Sequence, residues 1–518
     1  MRSLSGFRAN FQLDRSRAPT GAGATAQLNA AIDWTVAGVI VLIVAAYLGL
    51  VSLGQWQADE YNYFGRLAKT GWNAVYTRLE WSPRPFSEAL FGCYGLLVNH
   101  LHRPVTGGFL GLLWAILLFC TLVTAATTRS RQRASSPDVL IGLALLAAFV
   151  TSGPLFQVFY WPAGAVAYLP TLSATALLFL QILYGRLSAP SGKRVCSLCL
   201  LVAALSSEMG AIFALSFCVW QALIVVFANE PAERNTAPER TLFWWALPGI
   251  VSIGILLWTI AHRLPQLEMP FTVESTTLHH PLAATGAAAR RVALEVLGGE
   301  AVVHRWPGAV PKLMSKLTLA AGIALLWLRE HRLDRCIRRQ LLILTLSFLC
   351  AGFLALAVSY AHFGTPGGER YETLRRCWIL MSFIAAAVVV LGSKGYSGMR
   401  QRLSKSSLGP VLILTGIAMS WHLTPLVRQY SVYGEVVDAV RQTFQSGLEP
   451  GSHQMTYITA PLAGVITPAT IPPGIYMRTS PATDYDYAAY VLSYFNKDVL
   501  VVRSSDGTPS GAIASPAP

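Results

Sequence analysis

Two adjacent acids, Asp59 and Glu60, follow the first long apolar run, within Gln57-Ala58-Asp59-Glu60-Tyr61-Asn62-Tyr63. A carboxylate held against apolar surface keeps its proton to higher pH, which suits it to take a proton from a substrate hydroxyl. The plainer alternative is an aromatic belt with solvated acids. Downstream, two prolines bracket Arg84 in Trp81-Ser82-Pro83-Arg84-Pro85. They fix the backbone around a guanidinium, the preferred partner of phosphate or carboxylate. A basic anchor at lipid headgroups has the same pattern. A third segment, Phe159 to Pro170, sets Trp161 and Tyr168 around a Pro-Gly turn. Such rings stack on a sugar face or anchor at the interface. Glu208, in Ser206-Ser207-Glu208-Met209-Gly210, is an acid at membrane depth, where an ionisable group points to function unless its carboxylate simply reaches water. The last segment runs from His362 through Gly364, Pro366, Gly367 and Gly368 to Arg370 and Tyr371, with Arg375 and Arg376 behind it. Glycine-rich backbone with arginines makes an anion cradle. It is not a nucleotide P-loop, because GxxxxGK[ST] is absent.

These residues need elements to hold them, and composition says what kind. The chain has 518 residues, 53% hydrophobic and 13% charged, and its mean hydropathy is +0.46. Soluble domains carry roughly 25% charge. A soluble enzyme and a disordered chain are excluded, and the surplus apolar surface requires lipid. The net charge of +14 is better read as basic cytoplasmic loops than as nucleic-acid binding. The eight cysteines form no framework. Cys196 and Cys199 make one CxxC without a second pair, so they read as packing residues. His279-His280 has no HExxH partner and is a weak metal signal.

Apolar length and basic flanks predict an all-α polytopic membrane protein of about eleven transmembrane helices, N-terminus in and C-terminus out. The expected spans are Ile32–Leu53, Val105–Thr127, Val139–Thr151, Tyr168–Leu183, Val195–Ser206, Gly210–Phe227, Leu242–Ala261, Leu313–Leu328, Leu341–Tyr360, Cys377–Leu391 and Leu408–Leu423. The stretch Phe86–Leu101 reads as a re-entrant or interfacial helix, with a true span as its rival. The expected domains are a cytoplasmic tail (1–31), a transmembrane domain (32–426) with outer loops 54–104 and 262–308, a small extracytoplasmic α/β domain (427–503) and a disordered tail (504–518). The outer turns near Trp161 and Glu208 contain no Lys or Arg. Helical spacing from Tyr430 to Phe444 and short strands at Met455–Thr459 and Val499–Arg503 carry the α/β reading.

The ordered set on one face is what persuades: an acidic pair, a Trp/Arg element, Tyr-Trp-x-x-Gly, a hairpin Glu and Pro-Gly-x-x-Arg. In this it resembles polytopic membrane glycosyltransferases of the GT-C type, in a largely uncharacterised bacterial branch. The likeness runs through about residue 425 and takes in a small outer C-terminal domain. Two departures stand out. The family usually has two aspartates or Asp-x-Asp in the first outer loop, where this chain has Asp59-Glu60, so either acid is a candidate base. The family's Pro-Gly-Asn is Pro366-Gly367-Gly368 here, which loses the Asn amide. The resemblance implies a bacterial inner-membrane enzyme that moves a sugar from a polyprenyl-phosphate donor to an envelope glycan or lipid on the outer face, with inversion. Asp59 or Glu60 would be the base. Arg370, Arg84 and Arg376 would hold the donor phosphate. Tyr61, Trp161, Tyr168, Glu208 and His362 would line the sugar site. No cofactor is expected, and a monophosphate donor needs no metal, though a divalent cation stays open. The partners would be the lipid-linked sugar, its acceptor and membrane lipid. The rivals are a lipid or glycan transporter and a non-catalytic envelope-polysaccharide assembly protein.

Overall fold

The computed structural model describes residues 35, 37–126, 136–227, 238–263, 281–297, 306–363, 366–393, 423–461, 465–466, 471–478 and 487–504. The tails 1–31 and 505–518, Gly364-Thr365, His279-His280 and the expected span Leu408–Leu423, except its last residue, lie outside them.

The transmembrane part is helical. Its elements are α1 (Ala37–Leu53), α2 (Ala58–Thr70), α3 (Asn73–Trp81), α4 (Pro85–Leu101), α5 (Thr106–Ala126), α6 (Ser136–Val150) and α7 (Pro162–Leu183). Then come α8 (Pro190–Ser206), α9 (Glu208–Phe227), α10 (Pro238–Trp258), α11 (Pro281–Leu297), α12 (Trp306–Glu330), α13 (Arg335–Phe363) and α14 (Glu369–Leu391). Among the described residues four helices are long and apolar enough to cross a membrane: Pro162–Leu183, Trp244–His262, Arg335–His362 and Glu369–Leu391. A fifth arises if α1 and α2, bent by 54°, are taken together. The bend sends α2, with Asp59, Glu60, Arg66 and Lys69, away from the direction of the apolar α1, and we treat α2 as lying outside the span. Four or five of the eleven expected spans thus meet the length criterion among the described residues. Asp138–Val150 is apolar but short, and about 20 residues are needed to cross the hydrocarbon. α4, at 17 residues, is also short of that length.

The core centres on α7, of whose 22 residues only Leu177 is not buried. Its Ala, Gly, Ser and Thr residues let neighbouring helices approach closely. It begins at Pro162, six residues before the expected start of the span, because a proline at the first helical position has its φ already set. The turn before it is a π-turn, Phe156–Tyr160. Gly164 is required there: a Cβ would lie 1.9 Å from the Gln157 carbonyl oxygen.

The two ends of the bundle differ. At one end the N-termini of α7, α9 and α14 come together with the C-terminus of α8. Ser87 of α4 joins them, its hydroxyl 2.7 and 2.8 Å from the carbonyls of Val166 and Ser206. At the other end Asp138 accepts hydrogen bonds from Tyr184 (3.1 Å) and His331 (3.2 Å), closing α6, α7 and α12 together. Arg186, Lys193, Arg194, Arg329, Arg332 and Arg335 sit at the helix ends around it.

The segment expected as the outer loop 262–308 contains α11, which docks through charge. Buried Glu295 takes both Arg375 Nη2 (2.7 Å) and Nε (3.0 Å), and also Arg291 Nε (3.2 Å). Arg291 reaches on to Glu372 (3.2 Å), which also pairs with Arg376. Removing one partner strands buried charge, typically at about 3–5 kcal/mol. Glu295→Ala is therefore expected to lower the thermal midpoint in detergent sharply. A change no larger than that of an exposed control such as Arg66→Ala would show the clasp to be dispensable.

The C-terminal module has α15 (Leu423–Ser431), α16 (Tyr433–Leu448), β1 (Gln454–Thr459), β2 (Gly474–Met477), α17 (Tyr487–Phe495) and β3 (Val499–Ser504). The sheet order is β1-β3-β2, with β1 parallel and β2 antiparallel to β3. Both expected strands are present, and β2 is an addition. The module rests on the back of α2. Trp56 and Tyr61 pack edge-on or stacked against Phe444, Tyr494 and Phe495. Tyr487 donates to the Trp56 carbonyl at 3.0 Å.

Candidate functional site

The front of α2 faces the end of the bundle where the three N-termini meet. Arg84, the N-cap of α4, is buried, and its Nε donates to Glu208 Oε2 at 2.7 Å. Glu208 opens α9. The Arg84 guanidinium lies 5.8 Å from the centre of the Tyr168 ring. Arg370, in the first turn of α14, lies 5.5 Å from the Trp161 ring centre and 5.6 Å from that of Tyr371. Tyr168 and Tyr371 meet edge-on at 5.6 Å. The Asp59 carboxylate is half-buried and acts electrostatically on both Arg78 and Arg370. Arg78 pairs with Glu88 at 2.7 Å. The cluster thus unites Asp59, Arg84, Trp161, Tyr168, Glu208 and Arg370 from five segments.

Its arginines are only partly used. Arg84 Nη2, Arg370 Nε and the Tyr168 hydroxyl are buried without a hydrogen-bond partner among the described residues. Arg370 makes no ion pair among them. A buried donor left unmatched costs about 1–3 kcal/mol. Three together, beside helix N-termini whose dipoles favour negative charge, form a cradle for an anion.

The two acids have different surroundings. Glu60 is fully buried and both its oxygens are occupied: Oε2 accepts from Gln57 N–H (2.8 Å) and Trp161 Nε1 (3.0 Å), and Oε1 from Ala163 N–H (2.9 Å). It caps α2 and α7 at once, so it fastens the two helices together. Burial, reinforced by the neighbouring charge of Asp59, pushes its carboxyl up to about 7. The folded chain therefore holds a proton that an unfolded carboxyl, near 4.5, has already released. In that window the folded state binds more protons, so stability falls as pH rises from about 4.5 to about 7 and levels off above. Glu60→Gln is expected to abolish this slope. In either orientation its amide NH2 faces one of those N–H groups, so the midpoint should also drop, by about 1–3 kcal/mol of stability. Thermal unfolding across that pH range checks both; a slope that survives the substitution would assign it to another group.

The remaining expected residues are elsewhere. Tyr61 points to the module side of α2, within its aromatic seam. Arg376 is one and a half turns beyond Arg370 and belongs to the clasp through Glu372, with its Nη1 3.5 Å from the Ser152 carbonyl. His362 is at the end of α13, before the loop that leads to Arg370. Two cluster members carry little sequence signal. Arg78 sits in an unremarkable short helix, and Tyr371 is legible only as a neighbour of Arg370. Cys196 and Cys199 are buried free thiols of α8. Among the described residues no group of three His, Cys, Asp or Glu side chains is placed to hold a metal ion. No family model, curated protein or solved structure matches this chain.

Proposed function

We propose that the protein is a membrane glycosyltransferase of GT-C-like character that transfers a sugar from a polyprenyl-phosphate donor to an envelope glycan or lipid. The observation that carries the proposal is the buried trio of unmatched donors, Arg84 Nη2, Arg370 Nε and Tyr168 OH, beside a half-buried Asp59. The donor phosphate fits between the two guanidiniums, where a leaving phosphate gains charge as the glycosidic bond breaks. Asp59 takes the acceptor proton, and the acceptor oxygen attacks the anomeric carbon from the side opposite the phosphate, with inversion. Trp161 and Tyr168 back the two guanidiniums with aromatic faces. Basic residues at the far end of the bundle support a cytoplasmic location there and an outward-facing site. We assign the chain to a bacterial inner membrane on the same reading.

The transporter reading has one observation in its favour, the buried Arg375–Glu295 pair in a candidate span. Arg375 is six residues into α14, about 9 Å from its start at 1.5 Å per residue, and its charge is already matched by Glu295 and not left open for a substrate. Mass spectrometry of envelope glycans and lipid-linked sugars decides between these readings. Deleting the gene should leave a polyprenyl-phosphate sugar accumulating and one glycan lacking that sugar. An unchanged lipid-linked pool would contradict the enzyme reading.

A further inference from the structure

A cavity of about 340 Å³ lies on the module side of α2, away from the Arg84–Arg370 cluster. Its walls are apolar, chiefly Leu53, Val436, Val440 and Phe444, and its lining includes two cations, Arg103 and Arg441. Both arginines are exposed. The position matters as much as the lining. On α1 the exposed residues Leu42, Ala45, Gly49 and Ser52 fall at intervals of three or four, so they form one stripe that ends at the cavity. On α5 the exposed residues Gly108, Leu112, Ile116 and Phe119 form another, starting just past Pro104, which also lines it. The two helices touch there: a Cβ on Gly107 would lie 3.2 Å from Ser52 Cα. Two exposed stripes therefore converge on a cavity with cations in its lining, the α1 stripe also meeting Tyr430 and Tyr433 of the module at Gly49 and Ser52.

We infer that this seam between the transmembrane domain and the C-terminal module binds one anionic phospholipid, its phosphate held by Arg103 and Arg441 and its acyl chains along α1 and α5. Charge complementarity fixes the class: two cations with no acid in the lining select a phosphate-bearing lipid with net negative charge over a zwitterion. The bound lipid bridges the module to the membrane surface.

Native mass spectrometry of the delipidated full-length protein tests this. The probes are 1-palmitoyl-2-oleoyl-phosphatidylglycerol and the matching phosphatidylcholine. One phosphatidylglycerol per chain should bind in excess of phosphatidylcholine. Arg103→Gln with Arg441→Gln should weaken that one adduct by about 25-fold, at roughly fivefold per cation. Phosphatidylcholine binding should not change. Both residues are exposed, so equal thermal midpoints confirm that the variant is folded. Val437→Trp, which obstructs the cavity without touching charge, should displace the same lipid. Equal binding of the two lipids, or phosphatidylglycerol retained by the charge variant, overturns the proposal. Displacement of the lipid by millimolar inorganic phosphate would make the site one for a free anion and also overturn it.

Discussion

Asp59→Asn is expected to stop sugar transfer and to leave the protein folded. The substitution keeps the shape and removes the proton acceptor, and loss of a general base costs about 10²–10⁴-fold in rate. The fold should tolerate it because Asp59 is half-buried, whereas the bonds that join α2 to α7 are made by Glu60. The paired measurement is transfer in proteoliposomes from a synthetic polyprenyl-phosphate sugar and the thermal midpoint in detergent. Asp59→Asn should move only the first. Glu60→Gln should move the midpoint, with transfer lost in proportion to the unfolded fraction. If Asp59→Asn retains transfer while Glu60→Gln at full foldedness does not, the roles are reversed.

Arg370→Ala removes a guanidinium that makes no ion pair among the described residues. With a phosphate as its counter-charge, the loss should fall on the chemical step, by about 10²–10³-fold. Arg370→Lys keeps the charge and loses the planar fork, so it should be intermediate. The ranking Arg370, then Lys, then Ala is the readout. A transporter or scaffold would show no such order in transfer. Arg84→Ala is a poorer probe, since it also strands buried Glu208. Full transfer by Arg370→Ala would falsify the phosphate role.

Much of this was legible from residue order. The helical, membrane-type composition, the α8–α9 hairpin around Glu208, the two long module strands and six residues of the cluster all follow from local patterns. What failed to show has physical causes. Fewer spans than the expected eleven meet the length criterion among the described residues, because apolar runs also mark shorter helices such as α6, at 15 residues. α11 was hidden because its anchors are charged, and charge reads as solvent until its partners, 80 positions away, are known. The division of labour between Asp59 and Glu60 could not be read either. It depends on which side of α2 meets the N-terminus of α7, and neighbours in sequence point about 100° apart on a helix. The same geometry sends Tyr61 to the module.

That arrangement of α2 has a consequence for how the protein is made. Its front carries Asp59 and Glu60, while its back is closed by Tyr487, Tyr494 and Phe495 from the far end of the chain. A ribosome emits the first of these some 430 residues before the second. The end of the molecule that carries the Asp59–Arg370 cluster therefore gains its last support only when the C-terminal module is complete.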